Sequence, residues 1–118
     1  MAYTSHAARA KITESLPPPA LRAIHQLGQD LEVARRRRRI SQQLMADRML
    51  VNRETVIRLE RGDPTVSLSV LASALFVLSF TGRLEKLVEP ESDAVGMSED
   101  LQHLPKRAHA PRNNDLDF

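Results

Sequence analysis

Ile40-Ser-Gln-Gln-Leu-Met-Ala-Asp-Arg-Met-Leu-Val-Asn-Arg-Glu-Thr-Val-Ile-Arg-Leu-Glu-Arg-Gly62 reads as two short helices joined by a tight turn, the second ringed by arginines. Ser41 is a hydroxyl cap ahead of Leu44, Met45, Ala46 and Met49, which fall on one side of a helix. Leu50 and Val51 break that period. Asn52 then caps a second run that continues to Arg61 and stops at Gly62-Asp63-Pro64, because a glycine after the last turn and a proline just beyond it end a helix. On a 3.6-residue wheel Val56, Leu59 and Glu60 share one face, while Arg53, Glu54, Ile57, Arg58 and Arg61 share the other. One face packs, and the other is free to touch a ligand.

The flanks extend this helical reading in both directions. Upstream, a helix is expected over 20–37, with Leu27, Leu31 and Ala34 as its inward stripe. It runs into five consecutive arginines, Arg35 to Arg39, which either form a solvated cationic end that complements the helix dipole or place some of their number, Arg38 and Arg39 among them, on phosphate. Downstream, Ser67 opens a helix over 68–78 with Leu68, Leu71, Ala72 and Leu75 inward, and a further helix follows over 81–88. Val70, Ala74, Val77, Phe76 and Phe80 are more apolar side chains than one small core takes, and such surplus marks an interaction surface.

Three segments result. Residues 1–19 are small and polar and end in Pro17-Pro18-Pro19, so a flexible arm is expected, with Arg9 and Lys11 as its cations. Residues 20–88 form the helical domain. Residues 89–118 begin as an acidic linker around Pro90, Glu91 and Asp93 and carry Leu104, Leu116 and Phe118 among charges, the pattern of a tail that is either disordered or folds onto a partner.

Composition narrows the function classes. A chain of 118 residues with 42% hydrophobic content buries one modest core. The absence of cysteine excludes a disulfide framework and a thiolate zinc site, and the histidines at 6, 25, 103 and 109 lack metal-ligand spacing, so no metal or cofactor is expected. No run is long enough to span a bilayer and no secretory h-region is present, which predicts a bacterial cytoplasmic protein. No phosphate loop, nucleophile elbow or paired-carboxylate arrangement occurs, which argues against an enzyme. Charge is segregated: residues 20–63 carry ten Lys/Arg against six Asp/Glu, whereas 64–105 carry two against six. A basic half that contains the two-helix motif attracts a polyanion and supplies salt-dependent affinity for DNA.

The motif resembles the Cro/CI-type helix-turn-helix family, also called the xenobiotic response element family, with Ser41, Gln42, Ala46, Val51, Thr55, Val56, Leu59, Glu60 and Gly62 in register over roughly 27–88. Leu50 departs from the pattern, since the family usually has glycine at that turn. The resemblance implies an all-α, five-helix, lambda-repressor-like DNA-binding domain that reads a palindromic operator as a homodimer, with half-sites about one helical turn (~34 Å) apart. It also implies a structural ion pair between Arg35 and Glu60, base-facing positions at Arg53, Glu54 and Arg58, and phosphate contacts at Gln42 and at the backbone of Arg61 and Gly62. Chemically, Arg53 and Arg58 each present a fork that fits guanine O6 and N7. Glu54 either accepts from a cytosine amino group or holds Arg58 four residues on, and Thr55 and Ile57 fit thymine methyls or backbone.

The segment Leu101-Gln-His-Leu-Pro-Lys-Arg107 and the acidic, aromatic end of the chain resemble antitoxins of the HipB type. That resemblance implies a DNA-binding protein that represses its own operon and neutralises a HipA-type serine/threonine kinase toxin, nucleoid-associated when on DNA. Phe76, Val77, Phe80, Leu104, Leu116 and Phe118 are the side chains expected at the dimer or toxin interface. A stand-alone repressor with no toxin shares the same DNA face and remains open beside it, as does an adaptor that binds only protein, against which the outward arginines argue.

Overall fold

A computed structural model describes residues 6–104, and all regular structure among them is helical. The chain divides into two compact units between Leu84 and Glu85. In the first lie α1 (His6–Ser15), α2 (Pro18–Arg37), α3 (Gln42–Met49), α4 (Arg53–Glu60) and α5 (Leu68–Val77), and α6 (Thr81–Glu85) closes it. The second holds a 3-10 turn over Pro90–Ser92 and α7 (Ala94–Gln102).

The ends of the helices are written in local chemistry. Ser41 Oγ, Asn52 Oδ1 and Ser67 Oγ accept from the backbone N–H of Leu44, Thr55 and Val70 at 3.0, 2.9 and 3.2 Å, each satisfying a donor that its helix leaves unpaired. Pro18 and Pro19 open α2, where a missing N–H costs nothing. The triple proline therefore leads into a helix, and within residues 1–19, expected as a flexible arm, His6–Ser15 is helical.

Four helices stop in one way. Arg39, Leu50, Gly62 and Ser79 take left-handed φ values of 55°, 60°, 75° and 65° after α2, α3, α4 and α5. In each case the next residue's N–H returns to a carbonyl five residues back: Ile40 to Arg35 at 3.3 Å, Val51 to Ala46 at 3.0 Å, Asp63 to Arg58 at 3.0 Å and Phe80 to Leu75 at 2.7 Å. This is the Schellman closure, which normally pairs the last residue of the motif with the carbonyl's own side chain by an apolar contact. Ile40 is buried in the core, and Val51 and Phe80 pack against it. After α4 the corresponding pair is Asp63 with Arg58, and a salt bridge takes the place of the apolar contact.

The core comprises Leu31, Ala34, Ile40, Met45, Ala46, Met49, Val56, Leu59, Ala74, Leu75 and Leu78. α4 packs on α2 and α3, and α3 packs on α5. The α2–α4 crossing is close because of Gly28: a Cβ there would lie 2.6 Å from the Glu60 carbonyl oxygen and 2.8 Å from the Gly62 nitrogen. The buried face of α2 is thus Gly28, Leu31, Ala34 and Arg35, and Leu27, expected inward, is 39% exposed. Leu44 and Leu68, also expected inward, are exposed. Of the downstream surplus, Ala74 is fully buried, and Val70, Val77 and Phe80, the last two expected at the dimer or toxin interface, are partly buried against the core; Phe76 alone of the five is exposed, at 74%.

Leu50 is a β-carbon-bearing residue in the left-handed region and is 91% exposed, so it carries backbone strain without burying its side chain. Leu50→Gly removes a strain of about 1–2 kcal/mol and adds unfolded-chain entropy of about 0.4–1 kcal/mol. The expected net result is a gain of roughly 0.5–1 kcal/mol, read as a melting temperature a few degrees higher. An unchanged or lower melting temperature would contradict strain at this turn.

Candidate nucleic-acid interface

The side chains that matter here are arranged around one buried ion pair. Arg35 Nε donates to Glu60 Oε2 at 2.6 Å and Nη2 donates to Oε1 at 3.0 Å, and their side chains are only 7% and 6% exposed. Arg35 Nη1 donates to the Ile40 carbonyl at 2.8 Å, and Gln42 Nε2 adds a fourth bond, to Glu60 Oε1, at 3.2 Å. The bonds to Glu60 raise the Arg35 guanidinium above its ordinary pKa, against the opposing effect of burial. The ion pair expected between these residues is therefore bidentate and joins α2 to α4.

Above it opens a polar cleft of about 520 Å³ lined by Arg35, Arg36, Ser41, Gln42, Gln43 and Arg53. It sits at the N-terminus of α3, whose first amides point outward with the positive end of the helix dipole. Arg36 and Arg53 add cations, although Arg36 also pairs with Glu32 at 2.8 Å across one helical turn. Oriented N–H groups beside guanidinium groups make an anion-favouring surface. Gln42, expected at phosphate, lines this cleft while anchored to Glu60. Arg36, Ser41 and Gln43 belong to it as well; the Ser-Gln-Gln start of the helix is the signal that could have found Ser41 and Gln43.

Arg53 and Glu54 are exposed in the first turn of α4. Thr55 is half-buried and its hydroxyl donates to the Asn52 cap at 2.8 Å; Ile57 is half-buried too. Arg58 does not pair with Glu54. Its Nε donates to Asp63 Oδ2 at 2.9 Å and its Nη2 to Thr65 Oγ1 at 2.8 Å. Asp63 Oδ1 in turn accepts from the Thr65 N–H at 2.8 Å and from its hydroxyl at 2.6 Å. Burial pushes the Asp63 carboxyl up, but these bonds and the Arg58 charge outweigh it, and its pKa lies below the ordinary carboxylate value.

Two residues expected at phosphate, Arg38 and Gly62, have partners within the protein, Arg38 while remaining solvent-exposed. Arg38 is turned back onto the protein: Nη1 donates to the Ala34 carbonyl at 2.8 Å and Nη2 to the Leu78 carbonyl at 3.1 Å, with the guanidinium 4.9 Å from the Phe80 ring centre. The orphan carbonyls of α2 and α5 claim its donors. Gly62 is buried against α2, where a Cβ would meet His25 Cα at 2.6 Å, so its backbone is covered. Arg39 and Arg61 are exposed. Phe80 lies between Arg38 and Arg83, the latter 3.8 Å from its ring centre. In the second unit Leu104 is exposed, and Leu116 and Phe118 lie outside the described residues.

Among the described residues no cluster of three or more potential metal ligands occurs, and no helix is long and apolar enough to cross a membrane. Comparison of the chain with protein-family models, with curated proteins and with solved structures found no match.

Glu60→Ala strands the buried Arg35 charge and is expected to cost about 3–5 kcal/mol, lowering the melting temperature by more than about 10 °C. A variant melting within a degree or two of the parent would show that the pair does not hold α2 to α4. Asp63 titrates in the other testable direction. Because its folded pKa is depressed, its stabilisation is complete above the unfolded value of about 3.9 and is lost as pH falls through the folded one. Denaturant unfolding at about pH 5 and pH 3 should therefore show a smaller acid loss in Asp63→Asn than in the parent; equal losses would remove Asp63 from the acid response.

Proposed function

We propose that this chain binds double-stranded DNA through the N-terminal turn of α3 and the side of α4 that carries Arg53, Glu54 and Arg58, as a homodimeric transcriptional regulator of the Cro/CI type. The observation that carries the reading is the exposed Arg53–Glu54 turn beside the anion-favouring cleft at the start of α3. Phosphate contacts from Gln42, Gln43, Arg36, Arg39 and Arg61 would set register and orientation, and base-edge contacts from Arg53, Glu54 and Arg58 would give sequence preference. The exposed Phe76 on α5 is the apolar side chain that a second copy would cover. The fuller reading is a HipB-type antitoxin that represses its own operon and binds a HipA-type kinase. It rests on the resemblance of residues 101–118 and on the exposed Leu101 and Leu104, which suit a partner surface. A stand-alone repressor shares the same DNA face.

A gel-shift assay with duplex DNA from immediately upstream of the protein's own gene tests the DNA reading. Affinity should fall steeply with salt, and Arg53→Ala should weaken binding about 5- to 150-fold, the effect of losing one base contact of 1–3 kcal/mol. Binding that ignores both salt and Arg53 would reject the assignment. Co-expression with the adjacent gene separates the two regulators: a kinase-sized protein that co-purifies supports the antitoxin, and a protein that purifies alone and shifts DNA is a simple repressor.

A further inference from the structure

Arg58 and Glu54 are four residues apart on α4, yet Arg58 is only 31% exposed in its side chain whereas Glu54 is in the exposed class. The difference lies in what holds Arg58. Asp63 and Thr65, on the loop after α4, take one donor each from the side-on edge of its guanidinium, Nε and Nη2. They are themselves locked together by two bonds into Asp63 Oδ1. The loop that presents them is fixed in turn by the left-handed Gly62 and the return of the Asp63 N–H to the Arg58 carbonyl. No described residue accepts from Nη1. The end-on edge, Nη1 with the second hydrogen of Nη2, is thus the part of Arg58 left for a ligand.

We propose that Asp63 and Thr65 are specificity-determining positioning residues, which clamp Arg58 by its side-on edge and preset its end-on edge as a fork for O6 and N7 of one guanine in duplex DNA. The inference rests on the DNA reading above. A planar fork with two parallel donors matches the two acceptors that guanine alone presents in the major groove. A fork already held in place loses little side-chain freedom on binding and tolerates little displacement, so it discriminates by geometry. Arg53 is exposed and not so held among the described residues. The prediction is therefore strict readout at the base pair under Arg58 and a looser one under Arg53. Asp63 and Thr65 themselves touch no base.

The test is selection of duplex DNA from a random pool by the full chain, repeated with Arg58→Ala, Asp63→Ala and Thr65→Val. The parent should enrich sites with a fixed G·C pair that all three variants lose while other fixed positions stay. At that position discrimination against other pairs should fall from about tenfold or more to within about twofold. Thr65→Val keeps the branched side chain and the Asp63 carboxylate, so it carries the test should Asp63→Ala not fold. Retention of the fixed guanine by Asp63→Ala and Thr65→Val would overturn the inference, leaving the clamp as a loop closure alone. A uniform loss of affinity for all sequences in Arg58→Ala would also overturn it, by making Arg58 a phosphate contact. If the parent enriches no sequence, the DNA reading itself fails.

Discussion

The arrangement of α2, α3 and α4 at the candidate interface turns on the Arg35–Glu60 ion pair. Glu60 is the last residue of α4, where the helix dipole disfavours a carboxylate, and it is buried, where an unpaired charge is costly. Only a cation held close makes that position tenable. Arg35 supplies it from the last turn of α2, where the dipole favours a cation, and its third donor closes on the Ile40 carbonyl. With Gln42 also on Glu60, the end of α2, the start of α3 and the end of α4 are tied at one point. A buried ion pair of this kind is a weak source of net stability compared with apolar packing, but it admits few alternative arrangements. Its consequence is geometric: the end of α4 and the start of α3 keep a fixed relation, which the proposed joint contact with DNA requires.

The same logic sorts the arginine-rich run. Arg35 in the last turn of α2 and Arg38 just after it turn back onto the protein, one to a carboxylate and the other to backbone carbonyls and the Phe80 ring. Arg36 lines the cleft, and Arg39 is held outward in a left-handed turn. A run that looks like uniform positive charge is therefore part structural and part field. The field that remains lies beside the α3 amides, where an anion gains from both.

What was legible in the sequence was local. Ser41, Asn52 and Ser67 cap because their side chains reach donors three residues on, and Gly62 stops α4 because its left-handed φ costs a glycine little. What was not legible depends on distant atoms. The inward face of α2 centres on Gly28, which has no apolar signal and is selected by the backbone of α4 passing within reach of its missing Cβ. Leu27, its neighbour, carries the signal but not the burial. Arg38 and Arg58 look free on a wheel because a wheel records direction and not partners; their long side chains find carbonyls and a carboxylate outside their own helices. Leu50, Arg39 and Ser79 adopt a conformation that glycine signals elsewhere; the turn at Leu50 shows only as a break in helical period.

The most direct measurement of the DNA-binding claim is a backbone-amide NMR titration of the full chain with duplex DNA from upstream of its own gene. The account predicts that the largest shifts cluster on Gln42, Gln43, Arg53, Glu54 and Arg58, the groups around the start of α3 and the outward face of α4. Shifts confined to α5 or α7, or no saturable shifts at low salt, would contradict it.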